Sequence, residues 1–287
     1  MCRLLAYAAT KENKSLKEIL TPTQVEGYLW MSTIHNDGWG AAHMVDASDS
    51  AHIEDGGAPS RDTTTSIYKS TESAFLDPMV EAVTDQQARS AIFHLRLATP
   101  GIPLEIDNQQ PFSCDGITFS HNGSIEDDKG SILDLPVEEW PVTYEEFERT
   151  GGRSDSALLF ALIIRKYGED GNLVKAMIDA IAWFRTKYPE ATFNCALQTE
   201  DALIFTHAAS EGPLSEELGK IYTEKGFANH IADYRDIKYR ELPGEGIVIA
   251  STGFSQREKD GWKELPNNAL IAVDTHTGKY ETVAIPH

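Results

Sequence analysis

A cysteine directly after the initiator methionine is the first residue whose position suggests chemistry. Removal of Met1 would leave Cys2 at the start of the chain, with a free α-amine beside its thiol. An α-amine has a pKa of about 7.7–8.0, so near neutral pH it can act as the base for a nucleophile on the same residue. The sequence therefore predicts Cys2 as a nucleophile; the alternative is a small apolar residue in a first strand.

Three further polar features have types and positions suited to an active site. Arg96 lies near the end of an apolar strand, where a guanidinium needs an anion, either a substrate carboxylate or a structural partner. Asn122 and Gly123 end another strand and can offer two N–H donors to an oxyanion, although Asn-Gly is also a common hairpin turn. Asp155 opens a helix, where it can accept a substrate ammonium or complement the helix dipole.

Together these groups match one class of substrate. Glutamine and other γ-glutamyl amides carry an α-carboxylate, an α-ammonium and a side-chain acyl group. Arg96 suits the carboxylate and Asp155 suits the ammonium. Cys2, with Asn122 and Gly123, suits the acyl group. The predicted reaction is therefore acyl transfer through a thioester, with a glutamine-like small molecule as the substrate.

Hydrophobic periodicity predicts the elements that position these groups. Strands are predicted over residues 4–9, 40–45, 90–97, 116–121, 192–198, 202–206, 246–251 and 269–273. A short helix or turn is predicted over residues 15–20, ended by Pro22. Helices are predicted over residues 75–83, 154–167 (with Ser154 as the N-cap) and 173–188. Two consecutive helices between groups of strands indicate two sheets with helices packed against them, an α/β (α+β) class.

Two polar segments interrupt this pattern. Residues 46–65 are rich in Asp, Ser, Gly and Thr and are predicted to form a hairpin with a mobile loop. Residues 126–152 are acidic and contain prolines, and we expect an insertion or a lid there. The first segment is interpreted as part of a hairpin rather than as an interdomain linker, and we expect a single domain over residues 1–287.

An ordered set of motifs carries a family resemblance. In chain order the motifs are Met1-Cys2-Arg3, His35-Asn36-Asp37-Gly38-Trp39-Gly40, His94-Leu95-Arg96-Leu97-Ala98-Thr99, Pro111-Phe112, His121-Asn122-Gly123 and Ser154-Asp155-Ser156. This set, which spans about residues 1–167, resembles the class II glutamine amidotransferases. The similarity is greatest to small stand-alone members, which include the γ-glutamyl hydrolases of ergothioneine biosynthesis.

The resemblance implies a fold and a role for each residue. The fold is the four-layer αββα sandwich of the N-terminal-nucleophile hydrolases, with Cys2 as nucleophile and its amine as base. Asn122 and Gly123 would form the oxyanion hole, and Arg96 and Asp155 would bind the α-carboxylate and α-ammonium. A loop that covers bound glutamine would include His35, Asp37, Trp39 and Gly40.

Four positions depart from the pattern of many relatives. Leu97 and Pro100 replace an aromatic residue and a histidine, Gln110 replaces a histidine before Pro-Phe, and Ala157 replaces a glutamate. No proposed catalytic group is lost. The departures leave open the identity of the leaving amine and any coupling to a separate ammonia-accepting synthase.

Composition excludes several classes of partner. Lys and Arg total 25 against 45 Asp and Glu, a net charge of −20, and no basic cluster is present to bind nucleic acid. No apolar run approaches the roughly 18 residues of a membrane span. Three scattered cysteines without a CxxC pair indicate reduced thiols and a cytoplasmic protein. The sequence does not determine the oligomeric state, and a homo-oligomer is compatible with it.

Two alternatives remain. One is a non-catalytic binding module on the same fold, with Cys2 vestigial. The other is a metal-dependent hydrolase that uses some of the 9 histidines, such as His35, His94 and His121, with Asp37. No HExxH or comparable ligand spacing supports it, so neither a metal nor another cofactor is expected.

Overall fold

The structure is a computed structural model that describes residues 2–45, 65–98, 102–211 and 214–286. Its strands are β1 (Arg3–Ala9), β2 (Trp39–Met44), β3 (Thr65–Ser70), β4 (Ser90–Leu95), β5 (Phe112–Cys114), β6 (Ile117–Asn122), β7 (Glu126–Asp127), β8 (Gly130–Ser131), β9 (Asn194–Gln198), β10 (Ala202–His207), β11 (Ile237–Leu242), β12 (Gly246–Ser251), β13 (Lys263–Leu265), β14 (Ala269–Asp274) and β15 (Tyr280–Ala284). Its helices are α1 (Leu16–Ile19), α2 (Pro22–Trp30), α3 (Val80–Asp85), α4 (Tyr144–Glu148), α5 (Asp155–Asp170), α6 (Leu173–Lys187) and α7 (Glu216–Glu224).

Two antiparallel sheets organise the molecule. Sheet 1 has the order β13-β11-β12-β1-β4-β2-β3, and sheet 2 has the order β15-β14-β10-β9-β6-β5. The first strand of the chain therefore lies in the middle of sheet 1, hydrogen-bonded to β12 on one side and β4 on the other. A nucleophile at the start of β1 is thus held by neighbours on both sides.

The core is divided into three layers of side chains. Leu4, Ala6 and Ile92 pack against Ala196 and Phe205 between the two sheets. The outer face of sheet 2 is covered by α5 and α6, and the outer face of sheet 1 by the helices near the N-terminus and by α7. The order is helix, sheet, sheet, helix, which confirms the expected αββα sandwich.

Most of the predicted strands and both long helices are found, with ends shifted by a few residues. The predicted hairpin is confirmed as far as its strands go, because β2 pairs with β3 from Trp39↔Ser70 to Met44↔Thr65. Its loop, residues 46–64, lies outside the described residues. Residues 99–101, which follow Arg96 and include Thr99 of the sequence motif, also lie outside them.

Two helix predictions were wrong at their ends. Pro22 does not end the first helical segment; it opens α2, with Thr21 as a cap whose hydroxyl accepts a hydrogen bond from Gln24 N at 3.3 Å. Proline fits the first turn of a helix because its missing N–H is not needed there. The helix predicted from Phe75 begins only at Val80, because Pro78 disfavours helical geometry in the residue before it.

The acidic segment over residues 126–152 folds against α5. It contains the β7–β8 hairpin and α4, and it buries Ile132, Val142 and Phe147 in the core outside sheet 2. Whether it acts as an insertion or a lid stays a prediction.

Candidate active site

Cys2 lies at the end of the central strand of sheet 1. Its side chain is 7% exposed, and its thiol donates a hydrogen bond to the carbonyl oxygen of Leu97 at 3.6 Å. Arg3 pairs with Leu95 across the β1–β4 ladder, so the next step of the register brings Cys2 opposite Arg96. The predicted nucleophile and the predicted carboxylate clamp therefore meet at the same sheet end.

Arg3 fixes the strand that carries Cys2. Its Nη1 donates hydrogen bonds to the carbonyl oxygens of Tyr234, at 2.8 Å, and Thr252, at 3.3 Å. The guanidinium also stacks on the Tyr234 ring, 4.0 Å from its centroid. Sequence reasoning gave Arg3 no role of its own, because only its place in a motif marked it.

Arg96 is the buried cation of the site. It is 5% exposed; its Nη2 donates to Pro103 O at 3.4 Å, whereas Nη1 has no hydrogen-bond partner among the described residues. Burial lowers the pKa of the Arg96 guanidinium. The acidic groups of Cys2, Asp37 and Asp155 lie near enough to oppose that shift. A buried guanidinium with an unused donor is suited to bind a carboxylate.

Asp37 supports this arginine from the neighbouring loop. Its backbone N–H donates to Arg96 O at 3.0 Å, and Gly38 O accepts from Arg96 N at 2.9 Å. Its carboxylate accepts a hydrogen bond from Ala98 N at 2.8 Å. Asp37 therefore holds the segment that follows β4 and shapes the site through Arg96.

Asp155 orders the turn after the predicted oxyanion hole. Its Oδ2 accepts from Ile125 N at 2.7 Å, and its Oδ1 accepts from Ser156 N at 2.7 Å. The carboxylate is 6% exposed, and its charge reaches Arg96. Ser154 is the N-cap residue of α5 by position, but its side chain makes no capping hydrogen bond.

Asn122 and Gly123 end β6 in close packing. The Asn122 Oδ1 atom is buried with no hydrogen-bond partner in the described part of the chain. A Cβ at Gly123 would overlap the carbonyl oxygen of Thr192 and lie 2.5 Å from Nε2 of His121, so only glycine fits there. That same Nε2 donates to Thr192 O at 2.8 Å, which leaves Nδ1 to accept from the Ser156 hydroxyl at 2.9 Å.

His35 and Trp39 lie on the helix-covered face of sheet 1, both buried. His35 Nε2 is 2.8 Å from the Tyr222 hydroxyl, and Trp39 Nε1 donates to Asp77 Oδ2 at 2.8 Å. Gly40 allows the segment around Gln110 to approach β2 closely, since a Cβ at Gly40 would overlap Gln110 O. Cys2, Asp37 and Asp155 thus all lie close enough to Arg96 for their charges to act on it. The side chains of His35 and Trp39 lie instead in the core between sheet 1 and the helices that cover it.

The family follows from a comparison of the whole sequence. The model of the class II glutamine amidotransferases matches residues 1–273. The chain belongs to this family. No curated protein matches it.

Solved structures share the fold at low sequence identity. A glutamine aminotransferase class-II domain protein from Silicibacter pomeroyi is 14% identical, with a TM-score of 0.58 and full coverage of both chains. A predicted glutamine amidotransferase from Pseudomonas aeruginosa is 16% identical, with a TM-score of 0.52, covering 99% of this chain and 100% of its own. The glutamine phosphoribosylpyrophosphate amidotransferase of B. subtilis, complexed with ADP and GMP, is 13% identical with a TM-score of 0.59. The match covers 99% of this chain and 49% of that enzyme.

In this class II glutamine amidotransferase, three consecutive buried amides join the loops around the site. Asn108 Oδ1 accepts from Arg153 N at 3.1 Å, and Gln109 Nε2 donates to Asp37 O at 2.9 Å. Gln110 Oε1 accepts from His121 N at 2.6 Å. Sequence reasoning noted Gln110 only as a departure from relatives and missed the other two. The run of three amide side chains directly before Pro111 is the sequence feature that could have indicated this set of contacts.

The other thiols are poor nucleophiles. Burial raises the pKa of Cys195 to about 12 and also raises that of Cys114. Both would remain protonated near neutral pH. Within the described ranges there is no cluster of three or more His, Cys, Asp or Glu residues that could hold a metal ion. Nor do those residues include a helix long and apolar enough to cross a membrane.

Proposed function

We propose that this class II glutamine amidotransferase hydrolyses a γ-glutamyl amide with Cys2 as its N-terminal nucleophile. The observation that carries the proposal is the buried guanidinium of Arg96 beside Cys2, with Nη1 unpartnered among the described residues. A buried cation next to a nucleophile suits a substrate with a carboxylate at fixed distance from its reactive carbonyl. Glutamine is the simplest such substrate.

The proposed reaction has two steps. After Met1 is removed, the α-amine of Cys2 takes the thiol proton, and the thiolate attacks the γ-carbonyl carbon. The Asn122 amide and the Gly123 N–H stabilise the oxyanion. The C–N bond then breaks, and ammonia or an amine leaves with the proton held by the α-amine. Water hydrolyses the thioester, which releases glutamate and restores the thiol.

The ammonia has two possible fates. It can be released, so that the protein is simply a γ-glutamyl amidohydrolase, or it can pass to a separate synthase. We propose hydrolysis as the activity of the isolated chain, because the motifs identify no acceptor site. The departures at Leu97 and Gln110 leave open whether the leaving group is ammonia or a larger amine.

The test is release of glutamate and ammonia from glutamine by the purified protein. Cys2→Ala is expected to abolish turnover with the fold retained, because Cys2 precedes β1 and its thiol makes one weak hydrogen bond to the described part of the chain. Cys114→Ala is the matched control and should retain activity, since burial raises the pKa of the Cys114 thiol and favours its protonated form. Activity that survives in Cys2→Ala but not in Cys114→Ala would mean that the nucleophile is misassigned.

A further inference from the structure

A strip of buried polar side chains runs through the otherwise apolar layer between the two sheets. Strand β4 contributes Ser90 and His94, and strand β6 contributes Thr118, Ser120 and Asn122. Each of the five is at most 3% exposed. The strip lies in the same layer as apolar residues such as Leu4, Ala6 and Ile92, so it is shielded from bulk solvent along most of its length.

Register and one hydrogen bond fix the direction in which these side chains point. The Ser90 hydroxyl donates to Gln198 Oε1 at 3.1 Å, a bond that crosses from sheet 1 to sheet 2. Gln198 is paired with Thr118, and directly paired residues point to the same face of a sheet. Side chains alternate along a strand, so Asn122 follows Thr118 on that face, and His94 follows Ser90.

Both strands lead toward the active site. From Ser90, β4 runs through His94 to Arg96, and from Thr118, β6 runs through Ser120 to Asn122. The Ser90–Gln198 contact joins the two sheets at one end of the strip, and both rows of polar side chains run from there toward the proposed oxyanion hole. His94 is electrostatically linked to both Arg96 and His121, the neighbours of this end.

Most of the strip has no hydrogen-bond partner. Among the described residues, none bonds to either ring nitrogen of His94, to the hydroxyls of Thr118 and Ser120, or to the amide oxygen of Asn122. Buried polar atoms are nearly always satisfied in folded proteins, by protein groups or by ordered water. A water molecule bonded to several of these atoms would have the two to four polar partners that buried water needs.

His94 can serve as both a donor and an acceptor in this strip. Burial, the charge of Arg96 and the nearby His121 ring lower the pKa of His94 to about 3. The ring is therefore neutral near neutral pH, with one nitrogen protonated and the other free to accept.

We propose that this strip binds a file of buried water molecules, and that His94, acting through one of them, is a positioning residue for the Asn122 amide. The proposal rests on the proposed function, in which Asn122 is an oxyanion donor. An amide can point either its oxygen or its NH₂ toward the substrate. A donor on the strip side, supplied by water bonded to His94, holds the oxygen of Asn122 inward. The NH₂ group then faces the oxyanion.

The first test is a high-resolution crystal structure of the native protein. We expect ordered water within hydrogen-bond distance of His94 and of the Asn122 amide oxygen, with further water at Ser120 and Thr118. A dry layer, with apolar atoms against the His94 ring nitrogens, would overturn the proposal. This measurement does not depend on activity or on any variant folding.

The second test is a double-mutant cycle on glutamine hydrolysis. His94→Leu should lower kcat by about tenfold or more, with KM nearly unchanged because the substrate clamps remain. His94→Gln keeps a donor and an acceptor and should recover much of the loss. His94→Leu added to Asn122→Ala should have little further effect, since both act through one amide. His43→Leu is the control: His43 is also fully buried in sheet 1, but it packs against Phe93 on the helix-covered face.

The outcomes separate this inference from the function on which it rests. If the native protein does not hydrolyse glutamine, the proposed function fails, and the crystallographic test still decides the hydration of the strip. If Asn122→Ala is impaired while His94→Leu is normal, the positioning role is wrong. Losses that simply add, or that His43→Leu reproduces, would mean that His94 acts only through stability.

Discussion

Arg96 is the residue whose surroundings say most about the substrate. One of its terminal nitrogens contacts Pro103 O, and the other has no partner within the described chain. Arg96→Lys keeps the charge but loses the planar fork that grips a carboxylate with two bonds. We expect KM for glutamine to rise strongly, with kcat/KM falling roughly 30-fold or more. Steady-state kinetics measures KM and kcat/KM of the variant, and a thermal melt checks that it is folded. An unchanged KM would contradict the assignment of Arg96 to the substrate carboxylate.

Only some of the contacts of Asp155 could be predicted from its position in the sequence. Its position at a helix start predicted an ammonium clamp, and its charge does reach Arg96. Its carboxylate also holds the N–H groups of Ile125 and Ser156, which no sequence pattern indicated. Such contacts depend on how two distant turns meet. An Asp155→Asn variant would therefore lose stability and substrate binding together, and Arg96 is the cleaner test.

The backbone conformation at the end of β6 depends on a glycine. A Cβ at Gly123 would overlap Thr192 O, so Gly123→Ala must move the backbone that carries the proposed oxyanion donor. Losing such a donor typically costs about 100- to 1,000-fold in kcat, and we expect a loss of that order from initial rates. Gly168→Ala is the control, because nothing lies within 4 Å of a Cβ there. Equal activity of the two variants would contradict a role for the Gly123 backbone.

The elements that sequence predicted are those with long, clear periodicity. The positions of α5 and α6 were predicted to within a few residues from their apolar stripes. The position of β12 was predicted equally well from its apolar run. Helix α7 was missed because it is short and polar, with only Tyr222 buried. Strand β11 was missed because most of its side chains are half-exposed and several are charged. Tertiary pairing, not local pattern, makes these segments regular.

Buried histidines link the stability of the whole protein to pH. Burial lowers the pKa of four histidines, to about 4 for His43 and about 3 for His94, and in the same direction for His121 and His207. Their ordinary value is 6.5. Below that pH the unfolded chain binds protons that the folded chain does not, so stability must fall as pH drops from 6.5 toward 4.

Urea unfolding at about pH 7 and about pH 5 measures this linkage. The midpoint should be clearly lower at the acidic value, where most carboxylates are still ionised and contribute little to the change. His43→Gln should reduce the difference, because it removes one of the groups that the unfolded chain protonates. A midpoint that is equal or higher at pH 5 would show that the histidines are not neutral and buried as described.

Cys2, as the first residue of the mature chain, is the proposed nucleophile. Intact-protein mass spectrometry before and after incubation with a glutamine-mimicking electrophile tests it directly. We predict a starting mass that lacks Met1, one adduct per chain on Cys2, and protection by excess glutamine. Active protein that retains Met1, or an adduct on Cys114 or Cys195 instead, would contradict it.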